Sequence, residues 1–377
     1  MIYLDNSATT SPKPQQVLDA SARALRASAN PGRSGHRMSV EAGERIYSAR
    51  KTAADLFGME DETRVIFTPG CTFSLNTAIK GIFSKGGHAV VSNLEHNAVM
   101  RPLEALRSEG VTYTAAAVYP GDDDATLDSF RRSINVNTKA IICTHASNVW
   151  GIRLPVERIC ALAHAYGLYM MIDAAQSAGV LPLDMKDGYD IVCAAGHKGL
   201  YGPMGTGLML LSEKADIPPL ITGGTGSGSA SLIQPQELPD RFESGTLNLP
   251  GIAGLEAGIS FVSAKGKENI LRHEMSLVRR AYKGLSANKK VRLYTPEPDE
   301  SFFAPVLSFN IEGVDSETAA AQLARRGIAV RAGLHCCPAA HRALGTLDTG
   351  AVRISPSAFT AARDIDRVIQ TVRELKF

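Results

Sequence analysis

From Arg64 to Leu211 the chain repeats one pattern: a short apolar run, a turn, then a longer amphipathic stretch. Strands are expected at Val65 to Thr68, Ala89 to Ser92, Thr112 to Val118, Ala140 to Thr144, Tyr169 to Ile172, Ile191 to Ala195 and Gly207 to Leu211, with helices in the gaps. Strands that alternate with helices pack as a mostly parallel, doubly wound sheet. That predicts an α/β fold with a seven-stranded sheet. Such sheets bind ligands at the carboxyl ends of their strands, so polar residues just past each run are the first candidates for chemistry.

The flanks have a different texture. Tyr3 to Asn6 reads as an extended lead-in, Pro14 to Ser28 has helical apolar spacing, and Met38 to Phe57 reads as a long amphipathic helix. Its expected charged face carries Glu41, Glu44, Arg45, Arg50 and Lys51. Between these helices, Asn30-Pro31-Gly32-Arg33-Ser34-Gly35-His36 is too rich in Gly and Pro for regular structure. This basic loop could reach an active site or a partner subunit. After the Gly/Ser stretch at 223 to 229, a helical region from about Ile252 to Ala287 leads into strand (Val306 to Ile311), helix (Ser316 to Arg326), strand (Ile328 to Arg331), short helix, strand (Val352 to Ser355) and helix (Asp364 to Leu375). The last part reads as a compact α+β unit. A chain of 377 residues exceeds the size at which single cores stop growing, which also argues for two units.

Composition excludes more than it selects. With 44% hydrophobic residues, 21% charged residues and a net charge of +2, nothing favours nucleic acid or an acidic surface as a partner. No apolar run approaches 18 residues, and the start MIYLDNSATT lacks a basic segment followed by an apolar one. A cytoplasmic protein without a membrane span is the expectation. Cysteines at 71, 143, 160, 193, 336 and 337 form neither a zinc spacing nor a disulfide framework, so most are expected to be small core residues.

Asp173 ends one buried strand, and Lys198 lies just past another, in Gly196-His197-Lys198-Gly199. An acid and an amine on one sheet rim suit pyridoxal phosphate, whose aldehyde needs an amine and whose ring nitrogen needs a carboxylate. Singly, each residue also fits a helix cap or a solvated turn. Phe67-Thr68-Pro69-Gly70-Cys71-Thr72 leaves a strand, turns on Gly70 and opens a helix, so free amides near 71 to 73 and the Thr72 hydroxyl can hold a phosphate. His197 and Thr246 are further phosphate candidates. His96 follows a strand and could stack on a flat ring. Asn148 also follows a strand, and Gln176, one turn past Asp173, can reach a phenolic oxygen.

The run Arg331-Ala332-Gly333-Leu334-His335-Cys336-Cys337-Pro338 holds adjacent thiols that do not easily share one core pocket. A thiol flanked by Gly and His at a loop-to-helix turn favours thiolate, and the pair lacks the spacing of a metal site. Arg353 stands in the apolar context Ala351 to Ser355. It reads either as a bidentate anchor for a substrate carboxylate or as half of a structural ion pair.

Taken together, YLDNSATT, FTPGCTFSLN, LEHN, HASNVWG, IDAAQSAG, GHKGLYGP, RFESGTLN, VRAGLHCCP and VRIS resemble the class V aminotransferase-like, fold type I pyridoxal phosphate enzymes, and within them the cysteine desulfurases and selenocysteine lyases. The resemblance covers nearly the whole chain. It implies Lys198 for the Schiff base, Asp173 on the pyridine nitrogen, His96 on the ring, and Gln176 and Asn148 near the phenolic oxygen. It further implies the Cys71 amide, Thr72 and His197 on the phosphate, and Thr246 reaching the other subunit's cofactor in a homodimer. Arg353, with Asn148, would hold the substrate carboxylate, and Cys336 matches the nucleophile that takes sulfur from cysteine for delivery to an acceptor protein. In the family the N-terminal segment joins the C-terminal part, which implies a large unit at 14–259 and a small one at 1–13 and 260–377. Three departures stand out: Ala195 replaces a Ser or Thr that would add a phosphate hydroxyl, Leu334 replaces a His, and Cys337 leaves open which thiol attacks or whether one resolves a persulfide. Selenocysteine lyase, cysteine β-lyase and aminotransferase chemistry remain open on the same scaffold. A cofactor-free sulfur carrier would need neither Lys198 nor Asp173.

Overall fold

A computed structural model of the chain describes residues 1–27, 29–31 and 34–375. Ser28, at the end of the expected first helix, and Gly32 and Arg33 of the expected basic loop lie outside the described residues. The described strands are β1 (Ile2–Tyr3), β2 (Val65–Thr68), β3 (Gly87–Ser92), β4 (Val111–Ala116), β5 (Thr138–Thr144), β6 (Tyr169–Asp173), β7 (Ile191–Ala195), β8 (Gly207–Leu211), β9 (Val291–Leu293), β10 (Leu307–Ile311), β11 (Ile328–Ala329) and β12 (Val352–Ile354). The α-helices are α1 (Gln15–Arg26), α2 (Arg37–Leu56), α3 (Cys71–Ile82), α4 (Asn97–Ala105), α5 (Asp123–Ser133), α6 (Val156–Ala165), α7 (Leu249–Lys265), α8 (Lys267–Ser286), α9 (Ser316–Arg325), α10 (Pro338–Ala343) and α11 (Ala362–Glu374).

Strands β2 to β8 form one seven-stranded sheet in the order β2-β8-β7-β6-β5-β3-β4. It is parallel from β7 to β4, and β8 runs antiparallel to both of its neighbours. Alternate residues feed opposite cores, because successive side chains leave a strand on opposite faces. Val65, Phe67, Ile141, Cys143, Met170, Ile172, Val192 and Ala194 pack with α2, α5, α6 and α7. Ile66, Ala140, Ile142, Met171, Ile191 and Cys193 pack with α3 and α4. Burial on both faces explains why these strands read as continuous apolar runs rather than alternating ones.

A third core joins Leu4 to residues of α8, β10, α9, β12 and α11. The chain's start is stitched there by the parallel pairing of β1 with β11, Ile2 opposite Ile328. Strand β9 pairs with β10, a partner that the sequence pattern did not reveal. The expected continuous helical region is two helices broken at Gly266, whose φ of 79° lies in the left-handed region that favours glycine.

One expectation is overturned. Arg50 is not on a solvated face of α2: it is buried, with Nη1 2.8 Å and Nη2 2.7 Å from the two carboxylate oxygens of Glu243. Glu243 also accepts from the amide of Phe67 at 2.7 Å, so the pair ties α2 to the edge strand β2 and to the segment ahead of α7. A bidentate guanidinium–carboxylate pair compensates both buried charges, which is how an Arg is tolerated inside. Among the described residues no helix is long and apolar enough to cross a membrane.

Candidate active site

The carboxyl ends of β2, β5, β6 and β7 open into a cavity of about 650 Å³. Its lining includes Cys71, Thr72, His96, Asn148, Asp173 and Gln176, together with His197 and Lys198. Eight residues singled out from five separate stretches of sequence thus meet at one place.

Asp173 terminates β6 and is 3% exposed. Its Oδ1 accepts from the amide of Ala175 at 2.9 Å and from the Cys71 thiol at 3.5 Å. Cys71 also donates toward the carbonyl of Cys193 at 3.4 Å, and burial raises its thiol well above the ordinary range, so it stays a donor. The role of this thiol beside the acid was not legible in sequence.

Lys198 follows the tight turn after β7. Its carbonyl is held by the Tyr201 amide at 2.8 Å and the Thr10 hydroxyl at 3.1 Å, which fixes the backbone while the amine faces the cavity lining. Burial pushes the amine below the ordinary lysine range. The Asp173 carboxylate opposes that shift, and the guanidiniums of Arg353 and Arg331 add to it. A lysine held this way has a larger neutral fraction near pH 7 than a solvated one, as a nucleophile or base needs.

His96 caps α4. Its Nδ1 accepts from the amide of Ala98 at 3.0 Å, so in the neutral ring the proton sits on Nε2. Desolvation lowers its pKa first, countered by Asp173. The preceding Glu95 is fully buried: Oε1 takes the Thr144 amide at 2.8 Å and the Ser92 hydroxyl, while Oε2 has no hydrogen-bond partner. Burial pushes its carboxyl up to about 8, so at neutral pH it is largely an uncharged brace between the ends of β3 and β5. Sequence reading passed over this acid, although a Glu following an apolar strand was the available signal.

The anion corner has the expected form. Gly70 precedes α3 and supplies no capping side chain, so the amides of Cys71 and Thr72 remain open, whereas the Phe73 amide, expected to be free, bonds to the Gly70 carbonyl at 3.0 Å. The Nδ1 of His197 is buried without a partner, and burial lowers that ring's pKa to about 4, with Lys198 and Lys13 assisting. Ala195 lines the cavity where a hydroxyl would otherwise be available.

Three expected residues lie outside this lining. Thr246 is exposed and borders two neighbouring cavities, of about 400 and 270 Å³. Arg353 is 1% exposed; Nη1 donates to the carbonyl of Asn148 at 2.8 Å, and Nη2 pairs with Asp5 at 2.7 Å. The ion-pair alternative weighed for Arg353 is therefore present, while its Nε has no partner. Cys336 is exposed, and its carbonyl accepts the Asn97 amide at 2.8 Å, one residue from His96. Asn148 donates its amide to the carbonyl of His335 at 2.9 Å. Cys337 is fully buried, and burial pushes its thiol up to about 12, so of the two adjacent cysteines only Cys336 is free to meet a substrate.

Comparison with known proteins identifies the family and the fold. The sequence matches the family described as Aminotransferase class-V over residues 2–368. It is 30% identical to a probable cysteine desulfurase of Methanothermobacter thermautotrophicus, covering 99% of this chain and 94% of that protein. It is 32% identical to a probable cysteine desulfurase of Mycolicibacterium paratuberculosis over all of this chain, which spans only 55% of that longer relative. The fold superposes on an apo cysteine desulfurase from Thermococcus onnurineus NA1 with a TM-score of 0.91 at 31% identity, covering 99% of this chain and 94% of the other. The chain belongs to the aminotransferase class-V family.

Proposed function

We propose that the chain is a pyridoxal-phosphate-dependent cysteine desulfurase. The observation that carries this reading is the single cavity that gathers Lys198, Asp173, His96, Asn148, Gln176, Thr72 and His197, with the exposed Cys336 docked beside His96. The residues fit the cofactor. Open amides at the start of α3 and the unpartnered Nδ1 of His197 suit a phosphate, and a buried amine and carboxylate share the remaining space. Lys198 would bond its aldehyde carbon, Asp173 would hold its ring nitrogen, His96 would lie on its ring, and Gln176 and Asn148 would approach its phenolic oxygen. When bound, pyridoxal phosphate supplies an electron sink for the electrons of the Cα–H bond.

The protein's own groups carry the rest. Arg353 and Asn148 hold the carboxylate of free cysteine, and Arg331, which has no ion pair among the described residues, adds positive charge at the same rim. Lys198, its pKa lowered by burial, takes the Cα proton. The Cys336 thiolate attacks the substrate sulfur. An S–S bond forms, the substrate's Cβ–S bond breaks, and its electron pair stays on carbon, which is then protonated. Cysteine and a thiol thereby become alanine and a persulfide on Cys336, ready for an acceptor. Cys336, Arg331 and Arg353 come from the unit that we assign to 1–13 and 260–377, and the remaining residues come from 14–259. The exposed Thr246 fits a role across a homodimer interface.

The test is reconstitution with pyridoxal phosphate, followed by absorption spectroscopy and product analysis on free cysteine. A cofactor band absent in Lys198→Ala, with alanine as the carbon product, supports the reading. Pyruvate and ammonia would move it to a β-lyase, an oxo acid product to an aminotransferase, and turnover of selenocysteine alone to a selenocysteine lyase. A wild-type protein that takes up no cofactor would overturn it altogether.

A further inference from the structure

The turn that carries Cys336 is conformationally expensive. The Cys337 amide bonds to the Leu334 carbonyl at 2.8 Å, and the two residues between them, His335 and Cys336, have φ of 50° and 56°. Neither is glycine. The left-handed region is unfavourable for an ordinary residue, because Cβ crowds the following carbonyl, and such a conformation persists only where its surroundings hold it.

Four contacts hold this one. The amide of Asn148 reaches the His335 carbonyl at 2.9 Å, and the His335 Nε2 lies 3.0 Å from the Ala351 carbonyl. The first amide of α4, at Asn97, donates to the Cys336 carbonyl at 2.8 Å. The fourth comes from the second thiol: Cys337 Sγ points at the carbonyls of Leu94 and Glu95, at 3.3 and 3.1 Å. Those carbonyls belong to the segment between β3 and α4 that ends in His96. Burial keeps the thiol protonated, so its single hydrogen is shared between the two oxygens.

Resting on the desulfurase reading above, we infer that Cys337 is a positioning residue. Its buried S–H clamps the Cys336 turn to the 94–97 segment and so fixes the nucleophile's place beside His96. On this account Cys337 neither attacks the substrate nor accepts the persulfide. That assigns the adjacent thiols separate duties: one exposed and reacting, the other buried and anchoring.

The test compares Cys337→Ala, which removes the donor, with Cys337→Ser, which keeps one. In the holoenzyme, hydrogen exchange of the peptide bearing the Asn97 amide should accelerate about fivefold or more in Cys337→Ala. It should return toward wild type in Cys337→Ser. The turnover number on cysteine should fall in Cys337→Ala by more than KM rises, because the clamp acts on the nucleophile and leaves the Arg353 guanidinium in place, and Cys337→Ser should restore it. Unchanged exchange at Asn97 in Cys337→Ala would overturn the clamp, as would a persulfide found on Cys337 by peptide mass spectrometry during wild-type turnover. Faster exchange in a protein whose wild type never converts cysteine to alanine would leave the clamp standing and sink the desulfurase reading instead.

Discussion

Arg353 Nη2 lies 2.7 Å from Asp5 Oδ1, a contact spanning 348 residues that joins the chain's first segment to the strand meant to face substrate. The pair is nearly dry on the arginine side. Asp5 therefore orients the guanidinium that is proposed to meet a carboxylate, and the two roles separate by mutation. Arg353→Lys keeps the charge but loses the planar fork, so kcat/KM on cysteine should fall about tenfold or more, mostly through KM. Asp5→Asn should lower unfolding stability by about 1–3 kcal/mol, measured by denaturant titration, because the partner charge stays buried. An Arg353→Lys enzyme with an unchanged KM would remove Arg353 from substrate binding.

Gly207 in β8 approaches the anion corner closely. A Cβ there would lie 2.6 Å from the Cα of Gly70 and 2.9 Å from the amide nitrogen of Cys71, both backbone atoms that have little room to yield. Gly207→Ala should displace the start of α3, weakening pyridoxal phosphate binding about tenfold and costing about 1–3 kcal/mol of stability. Fluorescence titration of the apoprotein with the cofactor checks this. Wild-type affinity would mean that the α3 amides do not hold the phosphate.

Glu274 of α8 is 3% exposed, and its carboxyl accepts from the Tyr201 hydroxyl at 3.4 Å. Burial pushes its carboxyl up from 4.5 to about 8. The folded state thus holds a proton that the unfolded chain has lost. The associated stability is complete below about pH 4.5 and drains away as pH rises through about 8. Glu274→Gln removes this titration while keeping volume. Relative to wild type it should gain roughly 1–3 kcal/mol between pH 5 and pH 8, seen as a flatter dependence of Tm on pH. Parallel Tm curves for the two proteins would contradict the buried neutral acid.

Much of this architecture was legible because the sheet is buried on both faces. Continuous apolar runs such as Ile191 to Ala195 announce themselves, and the rim rule then places Asp173 and Lys198 without further information. Pairings across long sequence distances were not legible. Nothing local marks Arg50 as the partner of Glu243, or Arg353 as the partner of Asp5, since a charge on a helix or in a strand looks the same whether solvated or paired. Cys337 is a similar case. Two adjacent thiols are chemically equal in the sequence, and only a left-handed turn sends one outward and the other under the 94–97 segment. The buried Glu95 was hidden for a related reason: its role comes from the ends of two strands that meet only in the folded sheet.

The most direct test of the central claim is a single-turnover experiment on the pyridoxal-phosphate-loaded protein with free cysteine, comparing wild type with Cys336→Ala. Alanine and protein-bound persulfide are quantified together. The account predicts about one alanine and one persulfide on Cys336 per active site in the wild type. In Cys336→Ala it predicts neither product, with the cofactor absorbance retained. Undiminished alanine from Cys336→Ala would contradict the claim that this thiol takes the sulfur.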